Sequence, residues 1–176
     1  MVAIPTKAPT LAGERVTLDQ LDESVLDDYW QLLNDTEVAR WTGPAQTFTQ
    51  QKISQWLISR PQQDDRLDWA IHPRETGAFA GEIVLNELDL ETKCMNLRIA
   101  LCSEFQNQGF GTEAIQLVCD FGLDVLGLHK ITLGVMTDNL RAHRTYEKVG
   151  FQFVETYQEA DITYIAMEIT KKTSHF

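Results

Sequence analysis

The first third of the chain passes from an alternating stretch to apolar residues at helical spacing. Val16 and Leu18 alternate with polar neighbours, which indicates a strand. Two following segments place apolar residues three and four positions apart and therefore predict two amphipathic helices. Thr47 or Thr49 would cap the second of these helices, and Pro61 would end it. The apolar positions are Val25, Leu26, Tyr29, Leu32 and Leu33 in the first helix, and Ile53, Trp56 and Leu57 in the second.

The middle of the chain has the pattern of strands. The large apolar residues Leu67, Trp69 and Ile71 alternate with Asp68, Ala70 and His72, which indicates a half-buried strand. Turn-forming residues at 73–77 lead into a returning strand at 78–85, and another strand is predicted at 95–101. Because these strands follow one another without an intervening helix, antiparallel pairing is expected.

The second half of the chain alternates helices with strands. The predicted elements are a long helix with apolar positions 114, 115, 118, 121, 122 and 125, a strand at 130–136, a short helix at 140–149 capped by Asp138 or Asn139 and ended by Gly150, and a hairpin of strands at 151–155 and 162–169. The strand–helix–strand unit from 95 to 136 needs a parallel crossover. The predicted fold class is therefore mixed α/β, with a central, mostly antiparallel sheet flanked by helices.

Composition limits the partners and the location of the protein. The 176 residues suit a single domain, 1–176, with a core at about 11–170, and 43% of them are hydrophobic. A formal net charge of −11 would repel nucleic acid and anionic membranes. No signal-peptide pattern or run of about 20 apolar residues is present, so we expect a cytoplasmic protein. Cys94, Cys102 and Cys119 lack the spacing of metal ligands, so reduced thiols and no metal site are expected.

One glycine-containing segment carries the strongest chemical signal. It lies between the strand at 95–101 and the long helix, and it reads Gln106, Asn107, Gln108, Gly109, Phe110, Gly111, Thr112. The glycines let the backbone turn and approach a ligand, and the free N–H groups of the first helical turn form an anion site suited to a pyrophosphate.

Two other interpretations of this segment are open. It could be a simple loop, or, as Gly109-x-Gly111-x-x-Ala114 with Asp138 on the next strand, a dinucleotide-binding fingerprint. The second interpretation conflicts with its context, because three apparently antiparallel strands precede the segment and 38 residues follow Asp138.

Together, two motifs resemble those of the GNAT N-acetyltransferase superfamily. The segment Gln106-x-x-Gly109-x-Gly111 is similar to the acetyl-CoA signature of that family. The run from Asn139 to Phe151 is similar to its second signature. Residues 127–130, Gly-Leu-His-Lys, resemble a phrase found in the branch of ribosomal-protein N-terminal and polyamine acetyltransferases. The order of predicted elements from 16 to 169 also matches the GNAT fold.

The resemblance implies an enzyme that uses acetyl-CoA as co-substrate and a primary amine as acceptor, with direct attack of the amine on the thioester. The acceptor would be a peptide N-terminus, a polyamine or another small amine. A bulge in the strand before the signature would aim an amide at the thioester carbonyl, which the sequence does not reveal. The implied cofactor contacts are Leu101, Cys102 and Ser103 to pantetheine, the amides of Gln106, Asn107, Gln108, Gly109, Phe110, Gly111 and Thr112 to pyrophosphate, and Asn139, which could equally cap its helix.

The resemblance also implies a general acid. Tyr146 occupies the position of a tyrosine that protonates the departing CoA thiolate in many relatives. With Ala142 and Val149 it also forms an apolar stripe, so a core role is the alternative. Arg141 and Arg144 could reach the CoA phosphates or simply lie on a solvated helix face.

The general base is less well defined. Asn96 stands where many relatives carry a glutamate, and an amide cannot accept the proton. Glu82 on the neighbouring strand could substitute directly or through water, the alternative being a surface carboxylate. A weak base would suit an α-amine, with pKa about 8, better than a lysine-type amine. Transfer through a Cys102 acyl-enzyme is rejected, because free cysteines usually pack in the interior.

The Asn96 departure leaves a second function class, an acyl-CoA-binding sensor that has lost turnover. Acceptor choice is expected to depend on residues 25–60, where Trp41 and Trp56 look exposed. The oligomeric state is left open.

Overall fold

The computed structural model describes residues 1–42 and 47–172. Its strands are β1 (Leu11–Ala12), β2 (Val16–Gln20), β3 (Leu67–Pro73), β4 (Gly81–Asp89), β5 (Cys94–Leu101), β6 (Lys130–Met136), β7 (Gln152–Glu159) and β8 (Ile162–Thr170). They form one eight-stranded sheet in the order β1-β2-β3-β4-β5-β6-β8-β7. Among these strands β5 and β6 form the parallel pair, and the other neighbours are antiparallel. The predicted mixed, mostly antiparallel sheet is confirmed.

Helices cover both faces of this sheet. They are α1 (Leu26–Leu33), α2 (Thr36–Thr42), α3 (Gln50–Ser59), α4 (Phe110–Asp120), which a π-helical turn extends over Phe121–Val125, and α5 (Leu140–Val149). In the ranges 1–42 and 47–172, no helix combines the length and apolarity needed to cross a membrane.

Two apolar cores lie on opposite faces of the sheet. The first lies between the sheet and α4–α5 and includes Trp69, Leu85, Ile115 and Ile131. The second lies under α1–α3 and includes Leu21, Tyr29, Leu32, Ile53, Leu57 and Phe79. Strand β5 contributes to both, because successive side chains point to opposite faces. Ile99 and Leu101 pack on the first core, and Ala100 and Cys102 pack on the second.

Several boundaries differ from the sequence prediction. Strand β1 and helix α2 were missed, because each is short and lacks a clear period. Thr49 and Asn139 are the N-caps that accept backbone N–H bonds, from Lys52 at 3.2 Å and Ala142 at 3.3 Å respectively. Strand β4 begins three residues later than predicted, at Gly81, and continues through polar residues to Asp89.

Strands β5 and β6 separate soon after they begin. Their pairing joins Cys94, Met95 and Asn96 to Lys130, Ile131 and Thr132. Beyond this register the C-terminal half of β5 keeps β4 as its neighbour, as far as Leu101 opposite Gly81. A gap between β5 and β6 therefore opens towards the loop that precedes α4, and this gap positions the candidate site.

Candidate active site

The segment with the two glycines forms the N-terminus of α4. Gly109 is its N-cap residue, with a left-handed φ of 85°, and no side chain caps the helix. The Glu113 N–H makes a helical bond to the Gly109 carbonyl, at 3.2 Å. The N–H groups of Phe110, Gly111 and Thr112 precede that bond and have no intrahelical acceptor. This is the geometry of an anion site, and the helix starts four residues earlier than the apolar period at Ala114 suggested.

The two glycines serve different purposes. Gly109 adopts a backbone conformation that residues with a Cβ rarely adopt. Gly111 has an ordinary helical conformation, but a Cβ there would lie 3.0 Å from Leu101 Cδ1 and 3.8 Å from Ile99 Cδ1. Gly111 therefore lets α4 pack closely on β5, a packing role that differs from the predicted role in ligand approach.

The C-terminal half of β5 directs backbone groups into the gap. The Cys102 N–H donates to the Ala80 carbonyl beside β4, at 2.9 Å. Because backbone groups of successive strand residues point alternately to the two sides, those of Ala100 also face β4, whereas those of Ile99 and Leu101 face the gap. Gln106 Nε2 donates to the Leu101 carbonyl at 3.0 Å. The N–H groups of Ile99 and Leu101 are thus directed to where an added strand would lie.

The three residues predicted to bind pantetheine are not equivalent. Leu101 faces the gap, but the Cys102 N–H is bonded to Ala80 and the Ser103 N–H donates to Asp35 Oδ2, at 3.0 Å. Ile99, which the sequence argument did not select, is the better candidate, and the two-residue period of the strand could have found it. The register shift between β4 and β5 lies between Asn86 and Asp89 on β4, so the irregularity of this pair is not in the part of β5 next to the signature.

Tyr146 lies on the α4–α5 face of the sheet. It is 9% exposed, belongs to the core against which Ile99 and Leu101 pack, and meets the Phe151 ring edge-on at 5.9 Å. Burial raises the pKa of Tyr146 to about 12, so the phenol is protonated at neutral pH. Its hydroxyl makes no hydrogen bond to any residue that the structure describes. Tyr146 is thus a core residue whose proton is also available to a ligand.

Glu82 is partly buried on β4, on the face covered by α1–α3. Tyr29 Oη donates to Glu82 Oε2 at 2.9 Å. Loss of hydration on burial raises the pKa of Glu82 to about 7, and Asp68 adds to this, whereas the Tyr29 hydrogen bond and Arg98 oppose it. The side chain is therefore not a surface carboxylate, and it exchanges a proton near neutral pH.

Asn96 does not act on Glu82, whereas Tyr29 is its hydrogen-bond partner. Asn96 lies opposite Asn86, and its Nδ2 donates to Asn86 Oδ1 at 3.1 Å. The amide pair joins β4 to β5 and supplies no base. The sequence placed Tyr29 in the apolar stripe of α1 without a chemical role, although a buried tyrosine usually needs a partner for its hydroxyl. That requirement could have predicted a polar partner for the Tyr29 hydroxyl, but it could not have identified the partner as Glu82.

A pocket of about 320 Å³ lies between α1 and the end of β5. Phe79 in its wall meets the Tyr29 ring edge-on, with centroids 6.3 Å apart, so the pocket lies close to the Tyr29–Glu82 pair. Trp56 stacks on the other side of Tyr29 at 5.6 Å and is partly buried, contrary to the expectation of an exposed residue. The pocket contains three carboxylates, and its full lining is Asp28, Gln31, Asp35, Phe79, Cys102, Ser103 and Glu104.

The cysteines show no features of a reactive or metal-binding site. Burial raises the pKa of the Cys102 thiol to about 11, which leaves it protonated and a poor nucleophile. Cys119 is buried in the core, and Cys94 is partly buried on β5. Over residues 1–42 and 47–172, no three His, Cys, Asp or Glu side chains converge as a metal site.

Helix α5 begins just after β6, at the edge of the sheet where the parallel strand β5 also ends. The side-chain oxygen of Asn139, Oδ1, accepts from the Ala142 N–H as the N-cap. The side-chain nitrogen, Nδ2, can then donate to a ligand. Arg141 and Arg144 are exposed on α5, and no carboxylate of the described residues forms an ion pair with either of them. The contact of Asn139 with CoA stays a prediction, and for Arg141 and Arg144 both alternatives, a phosphate contact and a solvated helix face, stay open.

Comparison with known proteins gives these features a family. The model of an acetyltransferase (GNAT) domain matches residues 15–152. The uncharacterised N-acetyltransferase YoaA of Bacillus subtilis (strain 168) is 28% identical over 147 residues, which cover 82% of this chain and 83% of YoaA. Spermidine N(1)-acetyltransferase of Escherichia coli (strain K12) is 35% identical over 75 residues, 43% of this chain and 40% of that protein.

A solved structure supports the fold. Spermidine N-acetyltransferase from Vibrio cholerae, in complex with CoA and spermine, matches with a TM-score of 0.81 at 19% identity, covering 90% of this chain and 96% of that chain. The family model covers more than half of the sequence and includes both the uncapped start of α4 and Tyr146. The chain therefore belongs to the GNAT acetyltransferase family.

Proposed function

We propose that this protein, acting as one cytoplasmic domain, transfers the acetyl group of acetyl-CoA to a small cationic amine, with Glu82 as general base and Tyr146 as general acid. The observation that carries the proposal is the hydrogen-bonded Glu82–Tyr29 pair, in which partial burial raises the pKa of Glu82 to about 7. A base with this pKa is half ionised near neutral pH, which suits removal of a proton from an ammonium group.

The donor side uses the start of α4 and the open edge of β5. The N–H groups of Phe110, Gly111 and Thr112 would bind the pyrophosphate, because they have no intrahelical acceptor and lie at the positive end of the helix dipole. The backbone of Ile99 and Leu101 would pair with the pantetheine as a strand pairs with a sheet edge. When bound, acetyl-CoA supplies the reactive thioester.

The chemistry then needs the acceptor nitrogen to lose two protons and the departing sulfur to gain one. Glu82 accepts a proton from the substrate ammonium, directly or through water, so that the neutral nitrogen can attack the acetyl carbonyl carbon. As the new C–N bond forms and the C–S bond breaks, Tyr146 donates its proton to the departing sulfur. As the amide forms, the nitrogen loses a second proton, which restores the Tyr146 phenol directly or through water. Glu82 releases its proton to solvent, so an ammonium substrate yields one free proton per turnover. No covalent enzyme intermediate is required, in agreement with the protonated Cys102 thiol.

The acceptor class follows from the pocket beside Tyr29. Asp28, Asp35 and Glu104 line a space of about 320 Å³, large enough for an aliphatic amine chain. These carboxylates would attract a second positive charge on the acceptor, beyond the nitrogen that reacts. The similarity to spermidine acetyltransferases supports the same class. A peptide N-terminus without a nearby cation would gain nothing from these side chains.

An acceptor screen tests this proposal. Purified protein, acetyl-CoA and spermidine, a monoamine of equal length, or neutral and basic peptides are incubated, and free thiol is measured. We expect spermidine to react with the highest kcat/KM, and Asp28→Asn to raise KM for spermidine but not for the monoamine. Asp161→Asn, in the β7–β8 turn, is the matched control for the lost charge. Tight acetyl-CoA binding without turnover of any amine would refute the enzyme and favour a sensor.

A further inference from the structure

We propose that Arg15, which lies outside both GNAT motifs, binds the phosphates of CoA and makes the enzyme select the full cofactor over acetyl-pantetheine. The inference depends on the proposed donor site at the start of α4. Arg15 lies at the β1–β2 turn, 91 positions before Gln106, where the loop segment begins. A hydrogen bond, a cation–π contact and the close approach to Gly109 place Arg15 beside that loop.

The Arg15 side chain lies across the loop that begins α4. Its Nη1 donates to the Gln108 carbonyl. Its Cζ is 4.7 Å from the centroid of the Phe110 ring, which is within cation–π range. A Cβ built on Gly109 would lie 2.8 Å from Arg15 Nη1, so the guanidinium covers the open face of that glycine. The loop and the side chain thus fit together at the point where the helix N–H groups begin.

The backbone of Arg15 is fixed independently of its side chain. Glu113 Oε1, in the first turn of α4, accepts from the Arg15 N–H at 2.9 Å and from the Val16 N–H at 3.0 Å. The guanidinium is therefore held near the start of α4 even when its own contacts are removed. The Glu113 carboxylate accepts from these backbone N–H groups and forms no ion pair with the guanidinium.

The charge of Arg15 is not neutralised by another side chain. No aspartate or glutamate in the described residues lies within 4.0 Å of its guanidinium nitrogens, although the chain has a net charge of −11. One of the five guanidinium N–H groups is used by the Gln108 carbonyl, and the side chain is exposed. An arginine in this state beside an uncapped helix N-terminus is suited to a bidentate contact with phosphate.

This placement has a consequence for donor selection. Acetyl-pantetheine carries the reactive thioester and the part of CoA that would pair with β5, but it has no phosphate. A residue that contacts phosphate should strengthen binding of acetyl-CoA alone, whereas a residue that merely shapes the loop should not discriminate in this way. The two donors therefore separate a specificity role for Arg15 from a structural one.

The experiment compares Arg15→Gln with the wild-type protein, using calorimetry for acetyl-CoA affinity and kcat/KM for both donors with the same amine. We expect Arg15→Gln to raise the Kd of acetyl-CoA about 10- to 100-fold. The salt dependence of binding should decrease, while kcat/KM with acetyl-pantetheine stays unchanged. Arg15→Lys, which keeps the charge but loses the planar fork, should lie between the two.

Arg74→Gln is the matched control. Arg74 donates from Nη1 to the Gly13 carbonyl of the same β1–β2 turn, at 2.7 Å, so its replacement removes an equal charge without touching the loop. Unchanged acetyl-CoA affinity in folded Arg15→Gln would overturn the inference, and so would an equal loss with both donors. If Arg15→Gln does not fold, the Arg15→Lys comparison decides by the same two criteria. Wild-type protein that binds neither donor would instead contradict the proposed function.

Discussion

Replacement of Glu82 by glutamine should lower activity and raise stability at the same time. The substitution keeps the shape of the side chain and an oxygen that can accept from Tyr29 Oη. It removes the group that would take the proton from the acceptor, so turnover should fall by about 10²- to 10⁴-fold. It also removes a carboxylate that the fold must keep partly dehydrated whenever it is ionised.

The effect on stability can be worked out from the pKa. The pKa of Glu82 rises from 4.5 to about 7 on folding. Between these values the native protein holds a proton that the unfolded chain has released, so the free energy of unfolding falls as pH rises. Each pKa unit corresponds to about 1.4 kcal/mol, which gives a loss of about 3 kcal/mol, complete above about pH 7. Glu82→Gln should abolish this dependence.

Urea unfolding at pH 4.5 and pH 8 measures the predicted change. The free energy of unfolding of Glu82→Gln, relative to that of the wild type, should be about 3 kcal/mol higher at pH 8 than at pH 4.5. Glu87→Gln, the same chemical change at an exposed position of β4, is the control and should alter neither turnover nor its pH dependence. A stability difference between Glu82→Gln and wild type that is equal at both pH values would refute the buried-base argument, as would full turnover in the mutant.

Two further substitutions test the partners of this base and the acid. Tyr29→Phe keeps the ring stacked on Trp56 at 5.6 Å but removes the hydrogen bond that lowers the pKa of Glu82, so the rising limb of the pH profile of kcat/KM should move to higher pH; an unmoved limb would contradict the pair. Tyr146→Phe should lower kcat by about 10²- to 10⁴-fold with little change in acetyl-CoA affinity or melting temperature, as measured by steady-state kinetics, calorimetry and thermal unfolding. If Tyr146→Phe instead retains turnover and melts at a lower temperature, Tyr146 has a packing role and is not the general acid.

The parts of the fold that were predictable have a strong local signal. Leu67, Trp69 and Ile71 recur at every second position, and Asn139 and Gly150 bracket a helical stripe, so β3 and α5 follow from the sequence, although β3 is buried on both faces and not half-buried as predicted. The turn at the start of α4 was equally readable, because few residues other than glycine adopt the φ of 85° seen at Gly109. Motif order then identified the family, which the match over 15–152 confirms.

Features that depend on tertiary contacts were beyond the sequence. Tyr29 and Glu82 are 53 positions apart, and their hydrogen bond exists only because α1 packs on the face of the sheet that carries the Glu82 side chain. Arg15 contacts Gln108, 93 positions later in the chain, because α4 packs against β1 and β2. The separation of β5 from β6 is a property of sheet geometry, and neither strand carries a local signal for it. Such contacts decide which of several plausible polar residues form the site.

Because β5 and β6 pair over only three residues of each strand, the sheet consists of two hydrogen-bonded halves joined by this short contact, here called the seam. Three residue pairs connect β1–β5 to β6–β8, and α4 is the covalent link between them. A donor lying along Ile99 and Leu101 would act as a temporary ninth strand at this seam. Amide hydrogens at these two residues should then exchange quickly in the free protein and slowly with acetyl-CoA bound. Substrate binding would thus complete part of the fold, and the free enzyme would carry an unfinished hydrogen-bond ladder at its centre.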